Sequence, residues 1–357
     1  MTGTRAAVLR AFGEAPALQE ITLEPLQAGE VRVRIAGVGI CHTDLTAIDG
    51  HVPLPLPAVL GHEGAGTVEA TGPGVTALAP GDTVVLTYDA CGGCPACASG
   101  RPAYCSQFAQ RNSSGLRPDG TTTLRGTDGP VHGSFLAQSS FATHAIATER
   151  NAVTVTTGLP PELLGPLGCS LMTGAGAVLN VLAPEPGSSL AVFGCGAVGL
   201  AAVMAARAAG CGTVVAVEPD PQRRALAVEL GADEARAPDD DRRLRGLDHT
   251  VETVGTAAVV GAAIAALGSP GRCVTLGFRG PRNPVEIDQG RLLFGRSLIG
   301  VIEGDGDPQA TIRTLIALQA DGRFPFERML TTYPLDALAT ALDDTRAGRV
   351  VKAVLVP

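Results

Sequence analysis

The fold is decided by the stretch Leu190-Ala-Val-Phe-Gly-Cys-Gly-Ala-Val-Gly199. Four apolar residues that suit a buried strand run into Gly194, Gly196 and Gly199 in the pattern G-x-G-x-x-G, and an apolar segment of helical length follows. These glycines permit a tight turn and let the backbone approach a pyrophosphate, which binds at the N-terminus of the helix. The stretch therefore predicts a dinucleotide site. The alternative is a glycine-rich turn in a fold that binds no nucleotide.

An acidic residue follows the fingerprint at a suitable distance. The apolar run Val214–Val217 ends at Glu218, which comes 19 residues after Gly199. A carboxylate at this place binds both hydroxyls of the adenosine ribose and repels a 2′-phosphate, so it favours NAD over NADP. Arg223 is close in the sequence and could line the same ribose, or it could instead bind a 2′-phosphate.

Strand and helix patterns alternate on both sides of this stretch. Predicted strands are Ser189–Phe193, Thr213–Val217, His249–Thr253, Arg272–Leu276 and Leu298–Val301, and predicted helices include Val198–Ala209 and Gln222–Leu230. This alternation predicts an α/β fold with a doubly wound parallel sheet.

The chain before this region has a different character. Val31–Ile35 alternates apolar and charged residues, and glycine and proline recur densely as far as Gly74, which predicts short strands joined by tight turns. Residues 106–130 are polar and predict a loop. With 357 residues the chain is long enough for two domains.

Composition excludes several classes of function. The formal charge of −8, with no run of basic residues, argues against a nucleic-acid partner. Two uncharged stretches, Leu163–Pro184 and Pro186–Ala206, raise the possibility of a membrane span, but internal prolines and the glycine loop favour a buried strand and helix. Met1–Arg10 lacks the apolar core of a signal peptide. We therefore expect a cytoplasmic protein with no membrane partner.

Four of the nine cysteines are clustered. Cys91, Cys94, Cys97 and Cys105 have the spacing C-x2-C-x2-C-x7-C. Four thiolates from one compact loop can complete a tetrahedral zinc shell and leave no position for water, so the cluster predicts a structural zinc site. Reduced surface thiols and an iron–sulfur cluster are the alternatives.

Three further residues could hold a second metal ion. Cys41, His62 and Cys169 each lie in a glycine-rich sequence where the backbone can approach an ion. Two cysteines and one histidine would leave a fourth position open, which is the mark of a catalytic zinc. Taken alone, each of the three is more often a buried residue than a ligand.

With these elements in one order, the chain resembles the zinc-containing medium-chain alcohol dehydrogenases. The resemblance covers essentially the whole chain, and its most specific parts are Gly61-His-Glu-x2-Gly66-x5-Gly72-x2-Val75, the four-cysteine cluster and the Gly194–Gly199 fingerprint. It implies a GroES-like β-rich catalytic domain over 1–168 with a zinc lobe at 91–105, a Rossmann NAD-binding domain over 169–302, and a return to the catalytic domain over 303–357. It also implies two Zn²⁺ ions per chain and a homodimer or homotetramer.

The resemblance implies roles for individual residues. Cys41, His62 and Cys169 match the catalytic zinc ligands, and Glu63 matches a carboxylate beside the metal that can transiently ligate it. Asp44 matches the acid that orients the ligand histidine. Thr43 matches the hydroxyl that takes the substrate proton.

Other matches concern the cofactor. His42 occupies a place where a cation often meets the pyrophosphate, and Lys352 matches a C-terminal cation that reaches the same group. Thr173 and Val198 match residues that pack near the nicotinamide. One position departs from the family, because Thr46 stands where many members carry a histidine that completes a proton relay. His42, His51 or the cofactor ribose with water would then complete it, or proton release is slower.

A finer resemblance is to bacterial aryl- and benzyl-alcohol dehydrogenases. It is carried by Gly133-Ser-Phe-x2-Gln-Ser-Ser-Phe141, Gly300-Val-Ile-Glu-Gly-Asp305 and Gly322-Arg-Phe-Pro-Phe326. It implies reversible hydride transfer between NAD and an aromatic or allylic primary alcohol. The alternatives are a terpene alcohol, a polyol or a biosynthetic intermediate as substrate, and, from another class, a non-catalytic NAD(H)-binding sensor.

Overall fold

A computed structural model describes residues 2–280 and 282–357, so that Met1 and Pro281 lie outside the described residues. The strands, in chain order, are β1 (Thr2–Leu9), β2 (Ala17–Leu23), β3 (Glu30–Gly39), β4 (Ala58–Val59), β5 (Glu63–Thr71), β6 (Thr83–Leu86), β7 (Leu124–Gly126), β8 (Gly129–Val131), β9 (His144–Thr148), β10 (Ala152–Thr154), β11 (Ser189–Phe193), β12 (Thr213–Val217), β13 (Glu234–Arg236), β14 (Leu247–Glu252), β15 (Leu267–Thr275), β16 (Arg296–Gly300), β17 (Leu330–Pro334) and β18 (Lys352–Val356). The α-helices are α1 (His42–Ile48), α2 (Pro95–Ala98), α3 (Phe108–Ser113), α4 (Ser170–Gly176), α5 (Ala197–Ala208), α6 (Pro221–Glu229), α7 (Ala257–Ala266), α8 (Gln289–Leu292), α9 (Pro308–Ala320) and α10 (Leu338–Arg346).

The chain divides into two compact units. The first unit contains Met1–Cys169, Asp307–Ile316 and Leu330–Pro357, and the second contains Ser170–Gly306 and Ala317–Met329. This division differs from the expected return of the whole segment 303–357 to the first domain. Residues 317–329 group with the second unit because side chains there bind its helices, as when Arg328 Nη2 donates to Glu229 Oε2 at 2.6 Å.

The first unit is built mainly from antiparallel sheets. One sheet has the order β4-β1-β2-β7-β8, and the other has the order β10-β6-β5-β3-β18-β17 with β9 also paired to β3. In β3 the side chains of Val31, Val33 and Ile35 are buried, and those of Arg32 and Arg34 face outward. This alternation is the one expected of a strand with one face on the core.

The second unit contains a six-stranded parallel sheet in the order β13-β12-β11-β14-β15-β16. Strands β11 and β12 coincide with the predicted strands, and each has a paired strand on both sides. Four of the five residues in each are buried, as expected where helices cover both faces of a parallel sheet. The predicted α/β doubly wound fold is confirmed for this unit.

The prediction of a loop over residues 106–130 was wrong. This segment contains helix α3 and strand β7, and β7 pairs with β2. These elements have six and three residues, which is too short for a periodic pattern to show in the sequence. Their stability comes from tertiary partners rather than from local preference.

The two uncharged stretches form short elements. Leu163–Pro184 contains a 3₁₀ turn, α4 and one stretch of π-helix, and Pro186–Ala206 contains β11 and most of α5. No helix within the described residues combines the length and the hydrophobicity that crossing a membrane requires.

Candidate active site and zinc lobe

Helix α1 positions the first cysteine of the scattered set. Cys41 is its N-cap, and the Asp44 side chain folds back so that Oδ2 accepts from the backbone N–H of Cys41 at 3.0 Å. An acidic residue in the third helical position commonly binds the N-cap amide in this way. The first turn of α1 therefore fixes both Cys41 and Asp44.

Asp44 also reaches the loop that carries His62. Its second oxygen, Oδ1, accepts from the His62 ring Nδ1 at 2.9 Å and from the backbone N–H of Gly61 at 3.1 Å. Asp44 is fully buried, and His62 is 1% exposed. With Nδ1 protonated for this bond, the lone pair of Nε2 is free to bind a cation.

Cys169 follows a 3₁₀ turn at Gly165–Gly168 and immediately precedes α4. Gly168 packs directly on strand β6, where a Cβ would clash with the carbonyl oxygen of Leu86. The hydroxyl of Thr87 donates to the Gly168 carbonyl at 2.7 Å. These contacts hold Cys169 beside the end of β6.

The three segments bring four candidate side chains together. One ligand atom from each of Cys41, His62, Glu63 and Cys169 lies within 4.8 Å of the others. The Nε2 atom of His62 is buried without a hydrogen-bond partner, although a buried ring nitrogen normally has one. Two thiols, one imidazole nitrogen and one carboxylate are donors that Zn²⁺ accepts. The residues therefore fit a zinc ion.

The charges of this cluster depend on one another. A hydrogen bond from Cys169 lowers the pKa of the Cys41 thiol well below its usual value, against the opposing effect of burial. Burial alone would lower the pKa of His62, but the Asp44 carboxylate and the Cys41 thiolate raise it well above its usual value. Burial raises the pKa of Glu63. The cluster thus favours a thiolate, which is the form of cysteine that binds metal.

Lys352 does not stand free for a phosphate group, as the pyrophosphate role would require. Its Nζ donates to both oxygens of Glu63 at 2.9 and 2.8 Å and to the carbonyl of Ile40 at 2.9 Å. The side chain is 3% exposed. All three N–H donors are therefore used inside the first unit, and Lys352 acts there as the counter-charge of Glu63.

The residues that the family resemblance links to proton release lie on α1 or shortly after it. The Cys41 thiol lies 3.9 Å from the Thr43 hydroxyl, which places Thr43 beside the metal ligands. The Thr46 hydroxyl donates to the carbonyl of His42 at 2.8 Å and is buried. The side chains of His42 and His51 are exposed. Thr46 is thus engaged with the backbone, which leaves His42, His51 and the cofactor ribose with water as the candidates for the relay.

The clustered cysteines form a second candidate metal site. The sulfur atoms of Cys91, Cys94, Cys97 and Cys105 all lie within 4.8 Å of one another. The shortest recorded separation, from Cys94 to Cys97, is 3.5 Å, and all nine cysteines are free thiols. This arrangement fits a tetrahedral ion and not a disulfide, because a disulfide requires sulfur atoms about 2 Å apart.

Backbone amides prepare the lobe for metal. The N–H groups of Cys91, Cys94 and Gln107 donate to lobe sulfurs at 3.3 to 3.4 Å. The N–H of Cys97 contributes most to lowering the pKa of Cys94, to about 5. Burial and the neighbouring Cys94 raise the pKa of Cys97 to about 12. Without a cation the four thiols compete for ionisation, and a cation would allow all four to ionise.

In the second unit, the fingerprint forms the predicted turn between β11 and α5. Gly194 has a φ of +96°, and a Cβ on Gly199 would clash with the carbonyl oxygen of Gly194. Gly196 is the N-cap of α5, and a Cβ placed there would meet no atom within 4 Å. The conformation of the turn thus requires the first and third glycines. The second lies at the helix N-terminus, where no protein atom would contact a side chain.

Glu218 binds this turn directly. One carboxylate oxygen accepts from the backbone N–H of Cys195 at 2.7 Å, and the other accepts from the N–H of Asp220 at 3.0 Å. Arg223 follows on helix α6. The structure therefore brings Glu218 and the fingerprint together at the carboxyl ends of β11 and β12.

Thr173 and Val198 lie on two helices that pack closely. A Cβ on Gly174 would clash with the carbonyl oxygen of Val198, so α4 and the first turn of α5 are in backbone contact. Thr173 adjoins this contact in sequence and is half-buried. The two residues predicted to pack near the nicotinamide thus lie close to the point where α4 and α5 are in contact.

Sequence reasoning missed Gln138. This residue was used only as part of a motif, but its amide is 1% exposed and bonds to the backbone on both sides of Glu63. The available signal was the polar run Gln138-Ser-Ser140 between apolar residues.

Comparisons with known proteins agree with this geometry. Residues 27–157 match the model of the alcohol dehydrogenase GroES-like domain, and residues 197–321 match that of the zinc-binding dehydrogenase. The chain is 46% identical to a geraniol dehydrogenase of Castellaniella defragrans over 99% of this chain and 97% of the relative.

Solved structures give the same result. An alcohol dehydrogenase zinc-binding domain protein from Burkholderia ambifaria is 47% identical with a TM-score of 0.97, covering 100% of this chain and 99% of that one. Benzyl alcohol dehydrogenase from Acinetobacter calcoaceticus is 39% identical with a TM-score of 0.95, again covering 100% and 99%. The expected resemblance and fold class are confirmed, and the chain belongs to the zinc-binding alcohol dehydrogenases with a GroES-like domain.

Proposed function

We propose that this alcohol dehydrogenase transfers hydride between NAD and primary alcohols whose carbinol carbon is attached to an aromatic ring or a carbon–carbon double bond. The observation that carries the proposal is the convergence of the partly buried Cys41 with the buried His62 and Cys169, with Nε2 of His62 unpartnered. The substrate class is supported by relatives named for geraniol and benzyl alcohol, since both alcohols share that chemical feature.

Two Zn²⁺ ions per chain are part of the proposal. Cys41, His62 and Cys169 would hold one ion, with Glu63 beside it, and the four lobe cysteines would hold the other. An ion at the first site would lower the pKa of the substrate hydroxyl and so favour hydride departure from the carbinol carbon. Glu63 would stand beside this ion, where its ion pair with Lys352 holds the carboxylate.

The chain's own residues orient the reactants and move the proton. Asp44 fixes the ring of His62 through Nδ1, so the imidazole keeps its direction through the reaction. Thr43 takes the hydroxyl proton of the substrate, and the path continues to solvent through His42, His51 or the cofactor ribose with water. Thr173 and Val198 would pack against the nicotinamide and hold it for hydride transfer in either direction.

NAD is proposed in preference to NADP. The support is Glu218, whose carboxylate lies at the fingerprint turn where a 2′-phosphate would bring a second negative charge. Gly194, Gly196 and Gly199 would cradle the pyrophosphate, and Arg223 would line the ribose. Lys352 is a candidate for the pyrophosphate only if it exchanges its bonds to Glu63 when the cofactor binds, whereas the exposed His42 needs no such change.

Domain roles, assembly and location complete the proposal. We assign catalysis to the first unit, in which Cys169 joins the expected 1–168, and cofactor binding to the second unit. A homodimer or homotetramer is supported by β16, an edge strand of the parallel sheet, and by the nearby Leu293 and Phe294, which are each 70% exposed. A cytoplasmic location is supported by nine free thiols.

The substrate class is tested with matched pairs of alcohols. Geraniol is compared with its 2,3-dihydro analogue citronellol, and benzyl alcohol with cyclohexylmethanol, by the rate of NADH formation. We expect kcat/KM to be at least about tenfold higher for the unsaturated member of each pair, a difference of about 1.4 kcal/mol in the barrier. Equal rates within both pairs, or faster turnover of a polyol such as sorbitol, would contradict the proposal. Cys169→Ala, which should lose turnover while still binding NAD, is the negative control.

A further inference from the structure

A segment outside the ligand set holds the loop that leads into His62. We call residues 135–141 the bracing segment. It supplies one hydrogen bond to each of four consecutive carbonyls: Ser139 Oγ to Val59 at 2.6 Å, Phe141 N to Leu60 at 2.9 Å, Ser140 N to Gly61 at 2.8 Å and Gln138 Nε2 to His62 at 2.9 Å. The backbone before the ligand histidine therefore has its direction fixed at every residue.

Gln138 is the member that contacts the ligand residue itself. Its Oε1 accepts from the N–H of Gly64 at 3.0 Å and from the Ser140 hydroxyl at 2.8 Å. Its Nε2 donates to the carbonyls of His62 at 2.9 Å and Thr87 at 3.4 Å. Only a side chain with donors at one end and an acceptor at the other satisfies this arrangement.

The same amide leads to the third ligand. The carbonyl of Thr87 accepts from Gln138, and the hydroxyl of Thr87 donates to the carbonyl of Gly168 at 2.7 Å. Gly168 immediately precedes Cys169. Asp44 already joins the segments of Cys41 and His62, so Gln138 and Thr87 supply the missing connection between His62 and Cys169.

The backbone of the bracing segment is strained. Leu136, Ala137 and Ser139 have φ values of 42°, 57° and 52°, a left-handed region that is unfavourable for a residue with a Cβ. Such strain persists where the surrounding structure over-determines the conformation. Here it directs the Gln138 amide inward and places the Phe135 ring edge-on to His62, with ring centroids 5.7 Å apart.

We propose that Gln138 is a positioning residue for the metal ligands His62 and Cys169, acting through the His62 carbonyl and through Thr87. The inference rests on the proposed zinc function of those ligands. It predicts that the amide sets how tightly the site holds its ion, without any contact to substrate or cofactor.

The test compares four proteins that each contain the full chain. Gln138→Glu keeps the acceptor oxygen but replaces the NH₂ donor by an oxygen that faces the two carbonyl oxygens. Gln138→Met keeps the length of the side chain but has neither the donor nor the acceptor. Thr87→Val removes only the hydroxyl that holds Gly168. Ser140→Ala, the matched control, removes one buried hydrogen bond from the same segment but leaves the Gln138 contacts to His62, Gly64 and Thr87.

The readouts are zinc release to a chromophoric chelator, kcat and KM, and the NAD dissociation constant. For both Gln138 variants and Thr87→Val we expect one of the two ions to leave roughly 10–100-fold faster than in the wild type, the usual effect of removing an outer-shell partner. We also expect a lower kcat and an unchanged NAD dissociation constant. Ser140→Ala should release both ions at wild-type rates.

The proposal fails if Gln138→Met and Thr87→Val keep both ions as long as the wild type does. It also fails if Ser140→Ala loses an ion as fast as they do. The loss would then follow from removing any buried hydrogen bond in the segment and not from removing the contacts of the Gln138 amide. If Gln138→Glu does not fold, the other two variants decide. A wild-type protein that holds only the lobe ion would instead show that the proposed function of the first site is wrong.

Discussion

Asp44 shows how much one buried side chain does at this site. Its two oxygens accept three hydrogen bonds, from Cys41 N, Gly61 N and His62 Nδ1, and so join two ligand segments that are separated in sequence. The family resemblance pointed to Asp44 as the acid that orients the ligand histidine. The partner of Lys352 could not be predicted in the same way, because Glu63 lies 289 residues away.

The ion pair between Lys352 and Glu63 should contribute strongly to stability. Lys352→Met would leave Glu63 buried without its counter-charge, and removing one partner of a buried pair costs about 3–5 kcal/mol. The exposed pair of Arg346 and Asp49 is the control, because Arg346→Met at the surface should cost less than about 1 kcal/mol. Denaturant unfolding of both variants measures the difference. Equal losses in the free energy of unfolding would show that the buried pair stabilises the protein no more than the exposed pair does.

Glu218 should determine the preference between cofactors. Glu218→Ala removes hydrogen bonds from a charged group to the ribose, worth about 1.5–3 kcal/mol each, so the KM for NAD should rise at least about tenfold. The ratio of kcat/KM for NADP to that for NAD should rise as well. Glu229→Ala, a half-exposed carboxylate on α6 paired with Arg328, should leave both values unchanged. An unaltered ratio in Glu218→Ala would remove the argument for NAD.

At the scale of elements, the predictable parts are those with a clear period. Strands β11 and β12 and helix α5 agree with the sequence pattern to within one residue. Their apolar residues form runs that are long enough to be recognised in the sequence. Helix α3 and strand β7 were missed, since six and three residues hold no period. The bracing segment was missed for a different reason. Leu136 and Ser139 have left-handed φ values, and the sequence does not predict such values for residues other than glycine.

The zinc lobe should behave as a separate element. Cys97→Ser would break the four-sulfur set, and we expect zinc content to fall from two ions per chain to one, with a lower melting temperature. Cys211→Ser, a buried cysteine outside both clusters, is the control and should keep two ions. Metal analysis of dialysed protein gives the count. A loss of both ions in Cys97→Ser would mean that the two sites depend on each other.

At the scale of the whole molecule, the proposed association of copies can be tested at β16 and at the residues before it. Leu293 and Phe294 precede β16 and are each 70% exposed, and exposure of two large apolar side chains beside an edge strand is unusual for a monomer. The double variant Leu293→Lys/Phe294→Lys should therefore shift the protein to a smaller species in sedimentation velocity. Val228→Lys, at a 48% exposed apolar residue on α6, is the matched control and should not. A wild-type monomer, or no shift in the double variant, would contradict the prediction.

The boundary between the two units falls directly after Cys169, so every candidate ligand of both metal sites belongs to the first unit. The fingerprint turn and Glu218 belong entirely to the second. A chimera that exchanges 170–306 together with 317–329 would thus replace the cofactor-binding part by that of a relative without altering one metal ligand. Cofactor preference and metal chemistry are in this sense interchangeable modules, which could be recombined by exchange of two gene segments.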